Sequence, residues 1–340
     1  MTNNYTMKKT IPILLLTFFT CIQAIAQNND YKRLFRFYYD NDFINILGEG
    51  TDRAYTGGTR LDYFFVKEGR QHFFLDRWLP KANANAVNTY NWSLMQVAYT
   101  PNIIATTEPA VNDYPYSSGL YAIHGLHSSN AIKKYNLQTE IIAGISGPYS
   151  YADEVQTAIH KVIQYQEPMG WKYQMPTDLL LNLNFGAEKM LYQPTGWIEM
   201  IGGAKAMVGT MQDGVYVNAL IRIGKMNAYF DGLITQYATS KKSGRKRFQA
   251  YAFLKPAIEW TAYNALLDGG IFNGRSDYYR TAHEGEEPYT VNKKINPAFD
   301  GGFVLASGKI GFSFTQKILA PQLNGYDAQV TGNVSLHIGF

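Results

Sequence analysis

The sequence ends in residues 333–340, NVSLHIGF, where apolar and polar side chains alternate and the last residue is aromatic. Side chains two residues apart lie on the same face of a β-strand, so the apolar residues of this segment would share one face, which we expect to be turned outward. These residues are Val334, Leu336, Ile338 and Phe340. Barrels of bacterial outer membranes commonly end on such a strand. A buried closing strand of a soluble sandwich has the same pattern, so the rest of the chain decides between the two folds.

Strand-like segments with the same weak alternation recur from one end of the chain to the other. Examples are residues 57–66 (GGTRLDYFFV), 178–185 (DLLLNLNF), 215–224 (VYVNALIRIG) and 249–260 (QAYAFLKPAIEW). Turns rich in glycine or charge separate them. We therefore predict an all-β fold, an antiparallel transmembrane β-barrel of about twelve strands, because closure favours an even number. No repeat or linker divides residues 27–340, which we expect to form one barrel domain.

The composition supports a membrane protein. The chain has 26 tyrosines and 19 phenylalanines in 340 residues, a high aromatic content for a soluble protein. No segment after the N-terminus approaches the roughly 20 consecutive apolar residues of a membrane helix. The net charge of +4 is small and scattered, which argues against nucleic acid as a partner. The oligomeric state stays open.

The N-terminus is typical of a cleaved secretory signal peptide, predicted to cover residues 1–26. Met7-Lys8-Lys9 is a short basic region, residues 11–21 are an apolar core, and Ala24-Ile25-Ala26 is a small-residue cleavage site. A lipoprotein anchored at Cys21 is the alternative, although Phe18-Phe19-Thr20 is bulkier than the residues that usually precede a lipidated cysteine. We expect export to the bacterial outer membrane.

Cys21 is the single cysteine of the chain. Cleavage after residue 26 would remove it, so the mature protein would have neither a cysteine nucleophile nor a thiolate metal site. Any chemistry must then come from oxygen atoms and imidazole.

A short loop helix is predicted near residues 151–165, within the segment 144–174, GISGPYSYADEVQTAIHKVIQYQEPMGWKYQ. Asp153, Gln156 and His160 are three and four residues apart, so a helix would place them on one face. An apolar stripe of Val155, Ile159, Val162 and Ile163 would lie beside them. His160 is the best candidate for a group that titrates near neutral pH, while a purely structural histidine remains the alternative.

Oxygen-bearing side chains gather near the first two predicted strands. Residues 40–43, Asp-Asn-Asp-Phe, follow the first strand, and residues 52–58, DRAYTGG, open the second. Carboxylate and amide oxygens suit calcium, which accepts such ligands in flexible geometry. An Asn-Asp pair at a strand end is also a common turn, so both interpretations stay open.

Together these blocks resemble the lipid A 3′-O-deacylase (LpxR-type) family of outer-membrane enzymes. The resemblance runs through Asn41-Asp42, Asp52 with residues 55–58 (YTGG), 99–101 (YTP), 113–116 (DYPY), 144–148 (GISGP), Val155-Gln156 with His160, Gly170-Trp171 with Gln174, and 263–270 (YNALLDGG). It implies a twelve-stranded barrel whose active site lies between the outer-leaflet end of the wall and the loop helix. The implied substrate is the lipid A of lipopolysaccharide.

The resemblance also implies roles for individual residues. His160 would be the base that activates water, Thr56 would help to position that water, and Asn41 with Asp42 would help to hold a Ca²⁺ ion that stabilises the oxyanion. Gln156 belongs to the same predicted catalytic set. The sequence departs from the family at Thr106 and Thr107, where relatives carry basic residues. It departs again at Gln166, which stands where relatives have an acid, and Glu167 is the expected substitute.

Three functions remain open from sequence. The leading hypothesis is an ester hydrolase that removes the 3′ acyloxyacyl chain of lipid A with the help of calcium. The second is a phospholipase-like esterase, which a serine nucleophile beside His160 would support. A non-catalytic barrel could act as a pore, an adhesin or a binding protein.

Overall fold

The computed structural model describes residues 31–48, 52–67, 73–238, 246–283 and 285–340. The predicted signal peptide lies outside these residues. Twelve antiparallel strands form a closed barrel in which each strand pairs with its neighbours in sequence and the first pairs with the last. The strands are β1 (Arg33–Asn41), β2 (Ala54–Val66), β3 (Val87–Thr100), β4 (Ser117–Asn130), β5 (Tyr135–Ser146), β6 (Leu179–Thr195), β7 (Ile198–Gly209), β8 (Gln212–Lys225), β9 (Phe248–Asn264), β10 (Ile295–Ser307), β11 (Ile310–Leu319) and β12 (Gln329–Gly339). The predicted barrel and its strand number are confirmed.

Helices are short and lie in the loops. They are α1 (Ala152–Ile163), α2 (Leu233–Tyr237), α3 (Ala265–Asp268) and α4 (Asp277–Arg280), with 3₁₀ turns at Phe74–Arg77, Pro148–Ser150, Trp171–Tyr173 and Tyr229–Asp231. Helix α1 confirms the loop helix predicted near residues 151–165. Within the described ranges, no helix has the length and apolar character needed to cross a membrane.

The last strand has the predicted orientation. Leu336 pairs with Phe37, and Ile338 pairs with Phe35, both of which are exposed on the outer surface of the wall. The alternate residues Ser335 and His337 are buried. Because partners in a ladder share a face, the apolar residues of β12 are turned outward and the polar ones line the interior.

Charged side chains neutralise one another inside the barrel. The carboxylate of Asp62 is fully buried and accepts from Arg36 Nε at 2.7 Å and from Arg60 Nε at 2.6 Å. Arg60 also lies 3.3 Å from Glu140 Oε1. Pairing of this kind lets a polar interior remain buried, since an unpaired buried charge would be costly.

Apolar side chains pack at both ends of the barrel. We call the end where β1 finishes and β2 begins the upper rim, and the opposite end the lower rim. At the upper rim, Tyr99, Tyr121 and Leu180 of the strands pack with Leu266 and Leu267 of α3. At the lower rim, buried strand residues pack with the loop between β8 and β9; this cluster is Leu34, Phe64, Ile234 and Ala238. Loops therefore pack against the strands at each end of the interior.

Candidate active site

The helix α1 lies against the barrel wall with its polar face inward. Gln156 and His160 are one turn apart and only 7% and 4% exposed, whereas Val155 and Ile159 are 39% and 37% exposed. Asp153 lies at the edge of the buried face, and its carboxylate accepts from Thr157 Oγ1 at 3.2 Å. The outer face of α1 therefore carries apolar side chains together with the charged residues Glu154 and Lys161, a mixture suited to the boundary between lipid and water.

The turn after α1 brings a backbone carbonyl to His160. The helix ends at Ile163, the next residue Gln164 has a left-handed φ of 56°, and the N–H of Tyr165 donates to the His160 carbonyl at 2.9 Å. The chain then doubles back, so that the carbonyl oxygen of Gln166 lies 2.5 Å from His160 Nδ1. A carbonyl only accepts, so Nδ1 carries a proton and Nε2 is the nitrogen available to act as a base.

Trp171 fixes the side chain of Gln156. The indole Nε1–H donates to Gln156 Oε1 at 2.8 Å, and the ring packs on Tyr116 with centroids 4.8 Å apart. Gly170 permits this packing, because a Cβ there would lie 2.3 Å from the Tyr116 ring. Within the described residues, the buried Nε2 of Gln156 has no hydrogen-bond partner. The amide therefore presents a free donor in a fixed orientation.

Thr56 is the extra residue of a β-bulge. The pairing of β2 with β3 passes from Tyr55 directly to Gly57, which leaves Thr56 outside the ladder. Asn41 holds the bulge, since its Nδ2 donates to the Thr56 carbonyl at 3.0 Å. Bulges are frequent next to active sites because they redirect a side chain without disturbing the rest of the strand.

A second threonine, Thr100, connects Thr56 to Asp52. Its hydroxyl donates to the Asp52 carbonyl at 3.2 Å and is hydrogen-bonded to the Thr56 hydroxyl. Thr56 Oγ1 also lies 3.5 Å from the Ala54 carbonyl, and either threonine hydroxyl can donate to the other. A hydroxyl oxygen has two lone pairs, so with either direction Thr56 keeps at least one for a hydrogen bond from another molecule.

The acid that approaches His160 is Asp52. Its Oδ2 lies 3.2 Å from His160 Nε2. Burial lowers the pKa of His160, but the hydrogen bonds to Asp52 and to the Gln166 carbonyl outweigh burial and raise the pKa above its usual value. Glu167, the residue expected to be the acidic partner, is exposed, and no hydrogen bond joins it to His160 within the described chain.

These side chains surround one small cavity of about 60 Å³ between α1 and the outer face of β1 to β3. Its polar lining includes Asn41, Asp52, Thr56, Gln156 and His160. The cavity is on the outside of the wall, because Asp40 and Arg60, which flank the site on β1 and β2, alternate into the interior.

The remaining predicted residues lie elsewhere. Asp42 borders a neighbouring cavity of about 270 Å³, and Thr106 borders one of about 520 Å³. Neither Thr107 nor Glu167 lines the His160 cavity. The structure thus brings together four of the predicted residues and adds two that sequence reasoning left without a role. Asp52 and Thr100 stand within the sequence blocks quoted above, but nothing local to those blocks indicates that they meet His160 or Thr56.

The surroundings of the Asp42 carboxylate fit a bound divalent cation. One carboxylate oxygen, Oδ2, accepts from the Arg53 N–H at 2.9 Å, while Oδ1 is buried without a partner in the described residues. Burial and the charge of Asp52 raise the pKa of Asp42 well above its usual range. An orphaned carboxylate oxygen beside a second negative charge fits a hard cation such as calcium.

The acidic groups alone would not complete such a site. No group of three or more His, Cys, Asp or Glu side chains in the described ranges is arranged to hold a metal. Calcium also accepts carbonyl and water oxygens, so Asp42 would be one ligand among oxygens of other kinds. Both polar atoms of the Asn41 side chain form hydrogen bonds within the protein: Nδ2 donates to the Thr56 carbonyl, and Oδ1 accepts from the Phe43 N–H at 2.8 Å. Its part in holding a metal stays a prediction.

Comparison with known proteins gives a family and a fold. The family model described as "Outer membrane protein LpxR" matches residues 13–340. Among solved structures, LpxR from Salmonella typhimurium is 16% identical and aligns with a TM-score of 0.68 over 90% of this chain and 100% of that chain. The beta domain of the Bordetella autotransporter Brka is 9% identical, with a TM-score of 0.42 over 92% of this chain and 100% of that one. An outer membrane channel from Pseudomonas putida F1 is also 9% identical, with a TM-score of 0.43 over 94% of this chain and 98% of that one. No curated protein sequence matches this chain significantly.

Proposed function

This chain belongs to the LpxR family of outer membrane proteins, and we propose that it is a lipid A deacylase that hydrolyses the 3′-linked acyloxyacyl ester of lipopolysaccharide. The observation that carries the proposal is the position of His160. It lies with Gln156 on the buried face of α1, against Thr56 on the outer wall of the barrel, while Val155 and Ile159 of the same helix are exposed. A hydrolytic site in that place would reach an ester while the acyl chains stay in hydrocarbon.

His160 is the base in this proposal. The Gln166 carbonyl keeps a proton on Nδ1, so Nε2 removes a proton from water. The oxygen of that water attacks the ester carbonyl, and the proton on Nε2 then passes to the leaving alkoxide. The free lone pair of Thr56 suits it to accept a hydrogen bond from the attacking water.

Gln156 is the donor toward the ester oxygen. Its Nε2 is buried and has no partner among the described residues, while Trp171 holds the other end of the amide. A preoriented N–H group aimed at the oxygen that gains charge stabilises the transition state without reorganising. Calcium, held by Asp42 and Asn41, would offset the negative charge on that oxygen.

The rival functions have less support in the structure. The hydrogen-bond partners that the described residues offer to His160 are Gln166 and Asp52, neither of which is a serine nucleophile. Apolar clusters at both rims do not favour a pore. Thr106 and Thr107 lie away from the His160 cavity, so their neutral side chains do not remove a charge from its lining.

Mass spectrometry of lipid A from cells expressing the protein tests this proposal. Wild type should cause the mass loss of a 3′ acyloxyacyl group, and His160→Ala should not. Lys161→Ala, an exposed neighbour on the same helix, should behave like wild type. Chelation should abolish the loss and added calcium should restore it. Unchanged lipid A with correctly inserted wild-type protein would overturn the assignment.

A further inference from the structure

We infer that Asp52 is the carboxylate partner of His160 in the active site, which accepts a hydrogen bond from Nε2 once that nitrogen is protonated and stabilises the positive charge that the imidazole acquires during turnover. The inference rests on the proposed function for its role in catalysis. It differs from the expectation that an acid just after His160, such as Glu167, has this role.

The contact between the two side chains is close and shielded from solvent. Asp52 Oδ2 lies 3.2 Å from His160 Nε2, and the side chains are 10% and 5% exposed. Shielding makes such a pair stronger than an exposed one, because water screens it less. Nε2 is also the nitrogen that receives the proton, so Asp52 faces the atom where charge appears.

The other ionisable groups around His160 do not compete for this role. Asp42, on the same loop as Asp52, uses Oδ2 to accept from the Arg53 N–H. Tyr165 packs edge-on against the imidazole with centroids 5.3 Å apart, and Tyr39 of β1 lines the same cavity. Both are neutral phenols near neutral pH. Among the described residues, His160 is the group that forms an ion pair with Asp52.

The backbone of Asp52 is held independently of its carboxylate. Thr100, at the end of β3, donates its hydroxyl to the Asp52 carbonyl at 3.2 Å. A rigid strand therefore fixes the loop residue that carries the carboxylate. At the position after His160 where an acid is expected, Gln166 contributes a main-chain carbonyl, which any residue there would supply.

The proton transfers balance without any proton passing to Asp52. An O–H bond of water breaks as the Nε2–H bond forms, and the resulting hydroxide oxygen bonds to the ester carbon. The imidazolium donates Nε2–H to Asp52 Oδ2 until the C–O bond breaks, when the proton passes to the alkoxide. Ester and water become acid and alcohol, and His160 is neutral again.

The test is the pair Asp52→Asn and Glu167→Gln, each an isosteric removal of one negative charge. In refolded protein with chelator present, NMR titration of the His160 imidazole should give a lower pKa in Asp52→Asn and an unchanged one in Glu167→Gln. Deacylation by Asp52→Asn should show kcat reduced about 10²-fold with a KM near that of wild type. Its acid limb should move to lower pH.

An unchanged His160 pKa in Asp52→Asn would overturn the inference whatever the activity. A lowered pKa together with a wild type that leaves lipid A intact would uphold the pairing and reject the proposed function. If Asp52→Asn does not insert, Thr100→Val serves instead, since it frees the Asp52 backbone but keeps the carboxylate. It should lower the His160 pKa and kcat in the same direction, and Thr100→Ser should restore both.

Discussion

The indole N–H of Trp171 sets the orientation of the Gln156 amide, and Trp171→Phe removes that N–H while keeping an aromatic ring against Tyr116. Gln156 Oε1 would then be buried without its donor. Leaving a buried acceptor unsatisfied costs about 1–3 kcal/mol, so the free energy of unfolding should fall by about that amount.

The effect on catalysis follows from the hydrogen bond itself. A net value of about 0.5–1.5 kcal/mol for the Trp171–Gln156 bond corresponds to a roughly 2- to 12-fold preference for the orientation that aims Nε2 into the cavity. Losing that preference should lower kcat by up to the same factor. Removing the donor altogether in Gln156→Ala should lower kcat by about 10²- to 10³-fold.

The assay is lipid A deacylation by purified protein in detergent, with urea unfolding of the same samples. Trp197→Phe is the matched control, because that indole is exposed in the turn between β6 and β7. An unchanged kcat in Trp171→Phe, with Gln156→Ala inactive, would refute the argument that the indole orients the amide. Equal losses in both variants would refute the assigned magnitude.

Three further predictions concern charge and backbone strain. Hydrogen bonds to Asp52 and to the Gln166 carbonyl raise the pKa of His160 above its usual value of 6.5 despite its burial, so kcat/KM should fall as pH drops through this raised pKa. The stability that the His160–Asp52 pair contributes should be fully present below pH 6.5 and should be lost as pH rises through the raised pKa, which urea midpoints measured against pH would show. Asp42→Asn should raise the urea midpoint in chelator, since burial and the charge of Asp52 disfavour the ionised carboxylate at neutral pH. The variant should also lose any increase in urea midpoint that calcium gives the wild type, and an increase that survives would contradict Asp42 as a calcium ligand. Gln164→Gly should stabilise the protein by about 1 kcal/mol because Gln164 has a left-handed φ of 56°, and a lower urea midpoint would contradict this.

The barrel and its helix could be predicted from sequence because their signals are local. Alternation in residues 333–340 and the spacing of Gln156 and His160 depend only on the geometry of a strand and of a helix. The helix was predicted as amphipathic, but the pattern does not say which side is buried. The polar side is inward here, with Val155 and Ile159 exposed.

The partners of His160 could not be predicted in the same way. Asp52 lies in the loop after β1 and His160 in the helix after β5, so their contact joins residues that are far apart in the chain. The carbonyl of Gln166 has no side-chain signature, since every residue carries one. The bulge at Thr56 was equally hidden, because a single extra residue leaves the strand pattern on either side intact.

Because Thr56 lies outside the β2–β3 ladder, evolution can change this residue without changing how the barrel strands pair. Deleting one codon, that of Thr56, would join Tyr55 to Gly57 and leave β2 and β3 in their existing register, since those residues already pair with consecutive positions of β3. The result would be a barrel with every lipid-facing and interior residue in place but without the hydroxyl that we assign to water. A lineage would therefore lose or regain the proposed hydrolysis by a single-residue deletion or insertion, while its barrel remained under unchanged selection for folding and insertion.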